Sequence, residues 1–84
     1  MYQVVKRDGQ IADFDIAKIS AAITKAFEAQ QKQYHPTIID MMSLKVTADF
    51  EPKIREDLVQ VEEIQDSVER VLVQAGYADV AKAY

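Results

Sequence analysis

The stretch Val4-Val5-Lys6-Arg7-Asp8-Gly9-Gln10-Ile11 decides how the chain begins to fold, because it sets an Asp-Gly pair between two short apolar segments. Such a pair is typical of a β-hairpin with a type I′ turn, in which both central residues have positive φ. We therefore predict a hairpin over residues 2–14. Alternation along a strand directs Lys6 and Arg7 to opposite faces, so both cations reach one ligand only at the end of the hairpin or through a bend in its turn.

An amphipathic helix follows the hairpin almost at once. From Asp15 to about Gln30 the apolar residues recur at helical spacing: Ile16, Ile19, Ala22, Ile23, Ala26 and Phe27. Asp15 is a favourable N-cap, and Lys18 is the third residue of the predicted helix. The free N–H groups and the positive dipole end of the helix favour an anion close to the hairpin turn, although the Asp15 carboxylate offsets part of this attraction.

A second helix is predicted after a polar loop. Pro36 suits its first turn, and His35 is interpreted as the residue that leads into it. Apolar residues at helical spacing extend this helix to about Phe50, and Pro52 ends it.

The last third of the chain predicts one short strand and two more helices. Leu58-Val59-Gln60 suits a third strand that would cover an edge of the hairpin. An amphipathic helix begins near Val61 and stops at Gly76. Asp79 is predicted to cap a last helix that starts at Val80 and covers roughly one turn. The sum is an α+β fold that is mainly helical, a small four-helix bundle capped by a two- to three-stranded β-sheet.

The composition describes one small domain. Its 84 residues leave room for a single core, and 49% hydrophobic with 29% charged residues is an ordinary balance for a soluble globular chain. The absence of cysteine excludes disulfide frameworks, thiolate metal sites and cysteine nucleophiles. No apolar run is long enough for a membrane span, so we expect a cytoplasmic protein without membrane contact. Because the chain ends inside a predicted helix, residues 1–84 are expected to be one domain of a longer protein.

The distribution of charge points to a small anion. The formal net charge of −4 argues against broad electrostatic capture of nucleic acid. Most acids lie in the later part of the chain, whereas the cations of its first third are Lys6, Arg7, Lys18 and Lys25. Lysine as a point charge and arginine as a planar fork suit a triphosphate. The alternative is that the hairpin cations are ordinary solvated surface charges.

The residues that catalysis would need are missing. His35 is the only histidine, and without a second His or Cys it forms neither a metal site nor a base-nucleophile pair. Glu62 and Glu63 are adjacent in a predicted helix and point in different directions, so they do not form an acid-base pair. Tyr77 and Tyr84 are interpreted as packing residues.

Several of these segments together resemble a known family. They are Val4-Val5-Lys6-Arg7-Asp8-Gly9, Phe14-Asp15, Lys18-Ile19, Val61-Glu62-Glu63-Ile64-Gln65-Asp66, Gly76-Tyr77 and Val80-Ala81-Lys82-Ala83-Tyr84. Over nearly its whole length the chain resembles the ATP-cone domain of ribonucleotide reductases. The resemblance implies a four-helix bundle under a small β-cap, as predicted above. It also implies a regulatory domain that does no chemistry itself: ATP keeps the reductase active, and dATP turns it off.

The resemblance further implies a site between the cap and the helices for ATP or dATP, accompanied by Mg²⁺. The residues at the positions of the family's site are Val4, Lys6, Arg7, Asp15, Lys18, Ile19, Val61 and Gln65, and the last two stand where some cones carry a hydroxyl and a histidine. The three cations would hold phosphates, and the apolar residues of the first strand and first helix would flank the adenine. The acid would lie near the base or ribose, and the last two residues would form a wall supplied by the third helix.

The amino acids of these motifs are most similar to those of the anaerobic, glycyl-radical class of reductase. This similarity implies a ribonucleoside-triphosphate reductase as the parent chain. The expected partners are an adenine nucleotide, the remainder of the reductase and other cones in oligomers. A different kind of function stays open, namely a helical protein-interaction module that docks on a partner through its amphipathic faces and binds no nucleotide.

Overall fold

Four helices and a small sheet account for most of the computed structural model, which describes residues 2–84. The strands are β1 (Gln3–Val5), β2 (Ile11–Asp13) and β3 (Leu58–Gln60). The helices are α1 (Ile16–Ala29), α2 (Pro36–Phe50), α3 (Val61–Gln74) and α4 (Ala78–Ala83), with a short 3-10 turn at Glu51–Lys53. The predicted fold class, a mainly helical α+β bundle under a β-cap, is confirmed. Within residues 2–84, no helix has both the length and the apolar character that crossing a membrane requires.

Strand β1 lies in the middle of the sheet, whose order is β2-β1-β3. Val4 pairs with Ala12 of the antiparallel β2 and with Val59 of the parallel β3. The prediction that Leu58–Gln60 forms a third strand is thereby confirmed. Because β1 has a neighbour on both sides, its backbone hydrogen bonds are made within the sheet and its side chains are held in a defined register.

The hairpin is confirmed, but the predicted type I′ turn is wrong. Lys6 N donates to Gln10 O at 2.8 Å and Gly9 N donates to Lys6 O at 2.9 Å, which leaves a three-residue loop, Arg7-Asp8-Gly9. Gly9 alone in this loop has a positive φ, +87°, as in a turn that ends on a left-handed residue. The Asp8 carboxylate accepts a hydrogen bond from Gln10 N at 3.0 Å, and this bond stabilises the longer loop.

The first two helices begin where the sequence indicates, each with a side-chain cap. Asp15 Oδ1 accepts a hydrogen bond from Ala17 N at 3.0 Å at the start of α1. His35 Nδ1 accepts one from Thr37 N at 3.2 Å at the start of α2. Each cap satisfies an N–H group that helix geometry leaves without a partner. His35 is therefore a helix-entry residue, as predicted.

The end of α3 is a tight glycine turn. Gly76 has a φ of +90° and its N–H donates to Val73 O at 3.0 Å. Tyr77 N donates to Leu72 O at 2.8 Å, and the two bonds together form a Schellman motif. The predicted stop at Gly76 is confirmed, and the chain turns at once into α4.

The prediction that Asp79 caps the last helix is wrong. Helix α4 begins at Ala78 with Tyr77 before it, so Asp79 lies inside the first turn. The Schellman motif reverses the chain so closely that the helix starts before the acid is reached. The Asp79 carboxylate instead forms an ion pair with Lys32 at 2.7 Å, which holds α4 against the loop after α1.

All four helices bury apolar side chains in one core beneath the sheet. The residues with no exposed surface include Ile23, Phe27, Val46, Phe50, Val68, Leu72 and Val80. The Phe50 ring packs edge-on against Tyr2 and Phe14, with ring centroids 6.0 and 5.6 Å apart. Since Phe50 ends α2 and Phe14 follows β2, this aromatic cluster ties the hairpin to the helices.

An ion pair joins α2 to α3. Arg70 Nη2 and Nε donate to Asp49 Oδ2 at 2.8 and 3.1 Å. These bonds to Arg70 are the largest cause that holds the pKa of Asp49 below its ordinary value of 3.8. The pair therefore stabilises the folded chain only while Asp49 is ionised.

Phe50→Ala is expected to destabilise the domain by about 3–5 kcal/mol, because it removes a fully buried ring and leaves a cavity beneath the sheet. Leu44→Ala on the same helix is the matched control, since Leu44 is 63% exposed and its loss should cost about 0.5 kcal/mol or less. Urea unfolding followed by circular dichroism measures both. Equal losses would contradict the placement of Phe50 in the core, and Phe50→Leu keeps the comparison measurable if the alanine variant does not fold.

The unfolding free energy is expected to decrease in acid partly through Asp49. Its pKa is lowered on folding, so its contribution is fully present above the ordinary value of 3.8 and is lost as the pH falls through the lower folded-state pKa. Asp49→Asn should remove this part of the pH dependence. Asp40→Asn, which removes an exposed carboxylate from the same helix, is the control. Unfolding curves that depend on pH equally in the two variants would contradict the assignment.

Candidate functional site

A largely apolar cavity of about 180 Å³ lies between the sheet and helices α1 and α3, and we call it the cap cavity. The hairpin lines it with Val4, Lys6, Ala12 and Asp13. The helical side lines it with Asp15, Lys18, Ile19, Ala22, Val61, Ile64 and Tyr84. Ile19 and Ile64 are buried, whereas Lys6 and Lys18 are exposed. The cavity therefore has an apolar floor and a charged edge toward solvent.

A second, wider cavity of about 600 Å³ adjoins the first, and we call it the side cavity. Ala22 and Tyr84 line both cavities and so form the partition between them. The other residues around the side cavity are Arg7 from the hairpin turn, Lys25, Ala26 and Ala29 from α1, Gln65 and Glu69 from α3, and Ala83 from α4.

Strand pairing and helix starts explain why these side chains converge. Val4 and Ala12 are directly opposite each other in the β1-β2 pair, so both side chains lie on the same face of the sheet. The Asp15 cap starts α1 only two residues after β2, which brings its first turns beneath that face. Strand β3 runs without a break into α3, so Val61, the first residue of α3, stays close to the sheet.

The structure brings most of the predicted site residues to one cavity. The cap cavity is lined by Val4, Lys6, Asp15, Lys18, Ile19 and Val61. The other two, Arg7 and Gln65, line the side cavity, where Arg7 Nη2 donates a hydrogen bond to Gln65 Oε1. The two hairpin cations thus line adjoining cavities, because Lys6 follows β1 directly whereas Arg7 lies in the turn loop.

The charges of the cap cavity balance. Lys6 and Lys18 are matched by Asp13 and Asp15. Both carboxylates are already hydrogen-bonded: Asp13 Oδ1 accepts from Gln3 Nε2 at 3.0 Å, and Asp15 Oδ1 is engaged in capping α1. The cap cavity thus offers cations at its edge without a net positive charge.

The side cavity carries an excess of positive charge. The side chains of Arg7 and Lys25 are accompanied by a single side-chain carboxylate, that of Glu69, so the side chains around this cavity carry a formal charge of +1. In residues 2–84 the ion pairs are Lys32 with Asp79 and Asp49 with Arg70, so neither cation of this cavity is held by an acid.

Sequence reasoning identified Tyr84 as a packing residue and missed its place at the cavities. Its ring packs against the core, as predicted, and also lines both cavities. Burial raises the pKa of its phenol, and the charge of Glu69 raises it further. The sequence spacing did indicate an inward position for this residue, because Tyr84 follows the buried Val80 by four positions and so lies on the same helix face.

Lys25 and Ile64 were missed in the same way. Lys25 follows Lys18 by seven positions in α1, and Ile64 follows Val61 by three in α3. Both spacings return a side chain to nearly the same helix face. Helical periodicity would have placed these residues on the helix faces that carry Lys18 and Val61, although not at a particular cavity.

The arrangement suits binding rather than bond making. An apolar slot with cations at its edge can hold a flat ring next to an anionic group. Among the residues that the structure describes, no group of three or more His, Cys, Asp or Glu side chains is placed to hold a metal ion.

A three-stranded cap over four helices, with a cation-edged cavity between them, is the architecture of a small α+β domain with one candidate ligand site beneath its cap. Residues 2–84 match the family model described as the ATP cone domain. The chain therefore belongs to the ATP-cone family, whose members are allosteric regulatory domains, and the resemblance found in the sequence is confirmed.

The similar proteins are ribonucleotide reductases. The chain is 41% identical to the ribonucleoside-diphosphate reductase subunit alpha of Chlamydia pneumoniae over 96% of its length. It is 38% identical to the vitamin B12-dependent ribonucleoside-diphosphate reductase of Mycobacterium tuberculosis, and 40% identical to that of Thermoplasma acidophilum, each over 98% of its length. The matched region covers 8% of the first protein and 11% of the other two, so the chain spans about a tenth of these relatives.

Proposed function

We propose that this domain binds ATP or dATP at the cap cavity and regulates the overall activity of a ribonucleotide reductase, with ATP activating and dATP inhibiting. The observation that carries the proposal is the cap cavity itself. It combines an apolar floor with two exposed lysines, inside a domain of the ATP-cone family. Apolar walls favour a purine ring, and lysines at the edge favour its phosphates.

The proposed roles follow the position of each residue in the cap cavity. Val4 and Ile19 flank the adenine from the sheet and from α1. Lys6 and Lys18 hold phosphates at the charged edge, with Arg7 beyond them in the side cavity. The remaining predicted residues have secondary roles: Asp15 lies near the base or ribose, and Val61 and Gln65 form the wall from α3. Mg²⁺ accompanies the triphosphate in this proposal.

The parent enzyme is proposed to be a ribonucleoside-diphosphate reductase. The relatives reported above are named ribonucleoside-diphosphate reductases. The ribonucleoside-triphosphate reductase that the motif residues favoured is therefore not confirmed. The domain then acts in the cytoplasm as part of the reductase chain, through contacts with the rest of that chain and with other cones in an oligomer.

An interaction module without nucleotide binding is the second candidate. The observation in its favour is an exposed apolar strip on α2, where Met41 and Leu44 are 43% and 63% exposed. This candidate predicts that adenine nucleotides leave the melting temperature unchanged.

ATP and dATP are expected to bind the domain, and ATP at a hundred times its dissociation constant should raise the unfolding free energy by about 2.7 kcal/mol. Calorimetric titration with ATP, dATP and GTP measures the binding, and a thermal melt measures the stabilisation. Lys6→Ala and Lys18→Ala should each weaken ATP binding by roughly ten-fold, because each removes a cation from the edge of the cap cavity. Negligible binding of all three nucleotides would contradict the proposal and favour the interaction module.

Ala22→Leu is expected to reduce ATP binding at least roughly ten-fold without unfolding the domain, because the larger side chain fills space at the partition between the cavities. Ala21→Leu is the matched control: Ala21 is the neighbouring position of α1, is exposed, and lines neither cavity. Calorimetry gives the affinities and circular dichroism checks the fold. Unchanged ATP affinity in a folded Ala22→Leu variant would move the nucleotide site away from the cap cavity.

A further inference from the structure

We infer that the nucleotide extends beyond the cap cavity and that Lys25 holds the distal phosphates in the side cavity, opposite Arg7. This inference rests on the proposed function, because it concerns where the phosphate tail of the same nucleotide lies. It assigns a binding role to Lys25, which the family motifs do not include.

The size of the cap cavity is the first reason. At about 180 Å³ it is smaller than the roughly 300–1,000 Å³ of most small-molecule sites. A purine fits such a space, but a nucleoside triphosphate does not. The side cavity, at about 600 Å³, supplies the missing volume and shares Ala22 and Tyr84 with the cap cavity.

The charge balance of the two cavities is the second reason. The lysines of the cap cavity are offset by Asp13 and Asp15, whereas Arg7 and Lys25 outnumber Glu69 in the side cavity. A triphosphate carries most of its negative charge at its far end. The distal phosphates therefore gain more from the side cavity than from the cap cavity.

The geometry of α1 is the third reason. Lys18 and Lys25 are seven residues apart, so they lie on nearly the same helix face and about 10 Å apart along the axis. Ala22 lies between them in α1, has a small side chain, and lines both cavities, so the two cavities meet at this position. This separation lets the two lysines contact different phosphates of one triphosphate chain.

The partner of Arg7 is the last consideration. Its guanidinium donates to the neutral side chain of Gln65, which orients the group without cancelling its charge. Arg7 from the hairpin turn and Lys25 from α1 thus line the same cavity, and neither is ion-paired with an acid within residues 2–84.

The test compares ATP, ADP and AMP binding to the unsubstituted chain and to Lys25→Ala by calorimetry. Lys25→Ala is expected to weaken ATP binding about ten-fold and AMP binding less than about two-fold, because only the longer anion reaches Lys25. Lys45→Ala is the matched control, since Lys45 is an exposed mid-helix lysine of α2 that lines neither cavity. It should change the affinity for all three nucleotides by less than about two-fold.

Lys25→Arg, which keeps the charge, should restore most of the ATP affinity, and a thermal melt of each variant excludes loss of the fold. Equal weakening of ATP and AMP by Lys25→Ala would overturn the inference, as would an effect no larger than that of Lys45→Ala. Binding of two nucleotides per chain, with only the weaker one lost in Lys25→Ala, would also overturn it, because Lys25 would then serve a separate ligand. Failure of the unsubstituted chain to bind any adenine nucleotide would overturn the proposed function as well, so the two failures are distinguishable.

Discussion

The pairing of β1 with strands on both sides is the constraint on which the site depends. β1 is held in register by β2 from the hairpin and by β3 from the far end of the chain. Only with this register does Val4 face the helices and Lys6 reach the edge of the cap cavity. A slip of one residue would turn both side chains to the other face, and the apolar cavity and its cation would be lost together.

The aromatic cluster connects the sheet to the helix bundle. Tyr2, Phe14 and Phe50 connect the start of β1, the end of the hairpin and the end of α2. Their rings bury apolar area beneath the sheet, and this burial favours contact between the cap and the helices. Lys6 and Lys18 can therefore be exposed at the cavity edge, because the aromatic contacts help to hold the cap against the helices.

Two adjoining cavities of different character follow from the position of the hairpin turn. The three-residue loop places Lys6 and Arg7 on either side of the partition formed by Ala22 and Tyr84. The first cavity is small, apolar and charge-balanced, and the second is larger and has a positive excess. A ligand with a flat ring and a long anionic tail matches both, which connects the shape of the domain to the proposed regulation by adenine nucleotides.

Local chemistry in the sequence was enough to predict much of the fold. The Asp-Gly turn, the Asp15 and His35 positions, Pro36 and Gly76 each act on the backbone within a few residues, so the hairpin and the limits of α1 to α3 could be predicted. The loop type and the start of α4 could not, because the Asp8 hydrogen bond and the Schellman turn shifted them by one or two residues. The partition at Tyr84 and the charge of the side cavity were decided only by the tertiary structure. They arise where the hairpin turn, α1, α3 and the end of α4 meet, and no local pattern records a contact between segments so far apart in the chain.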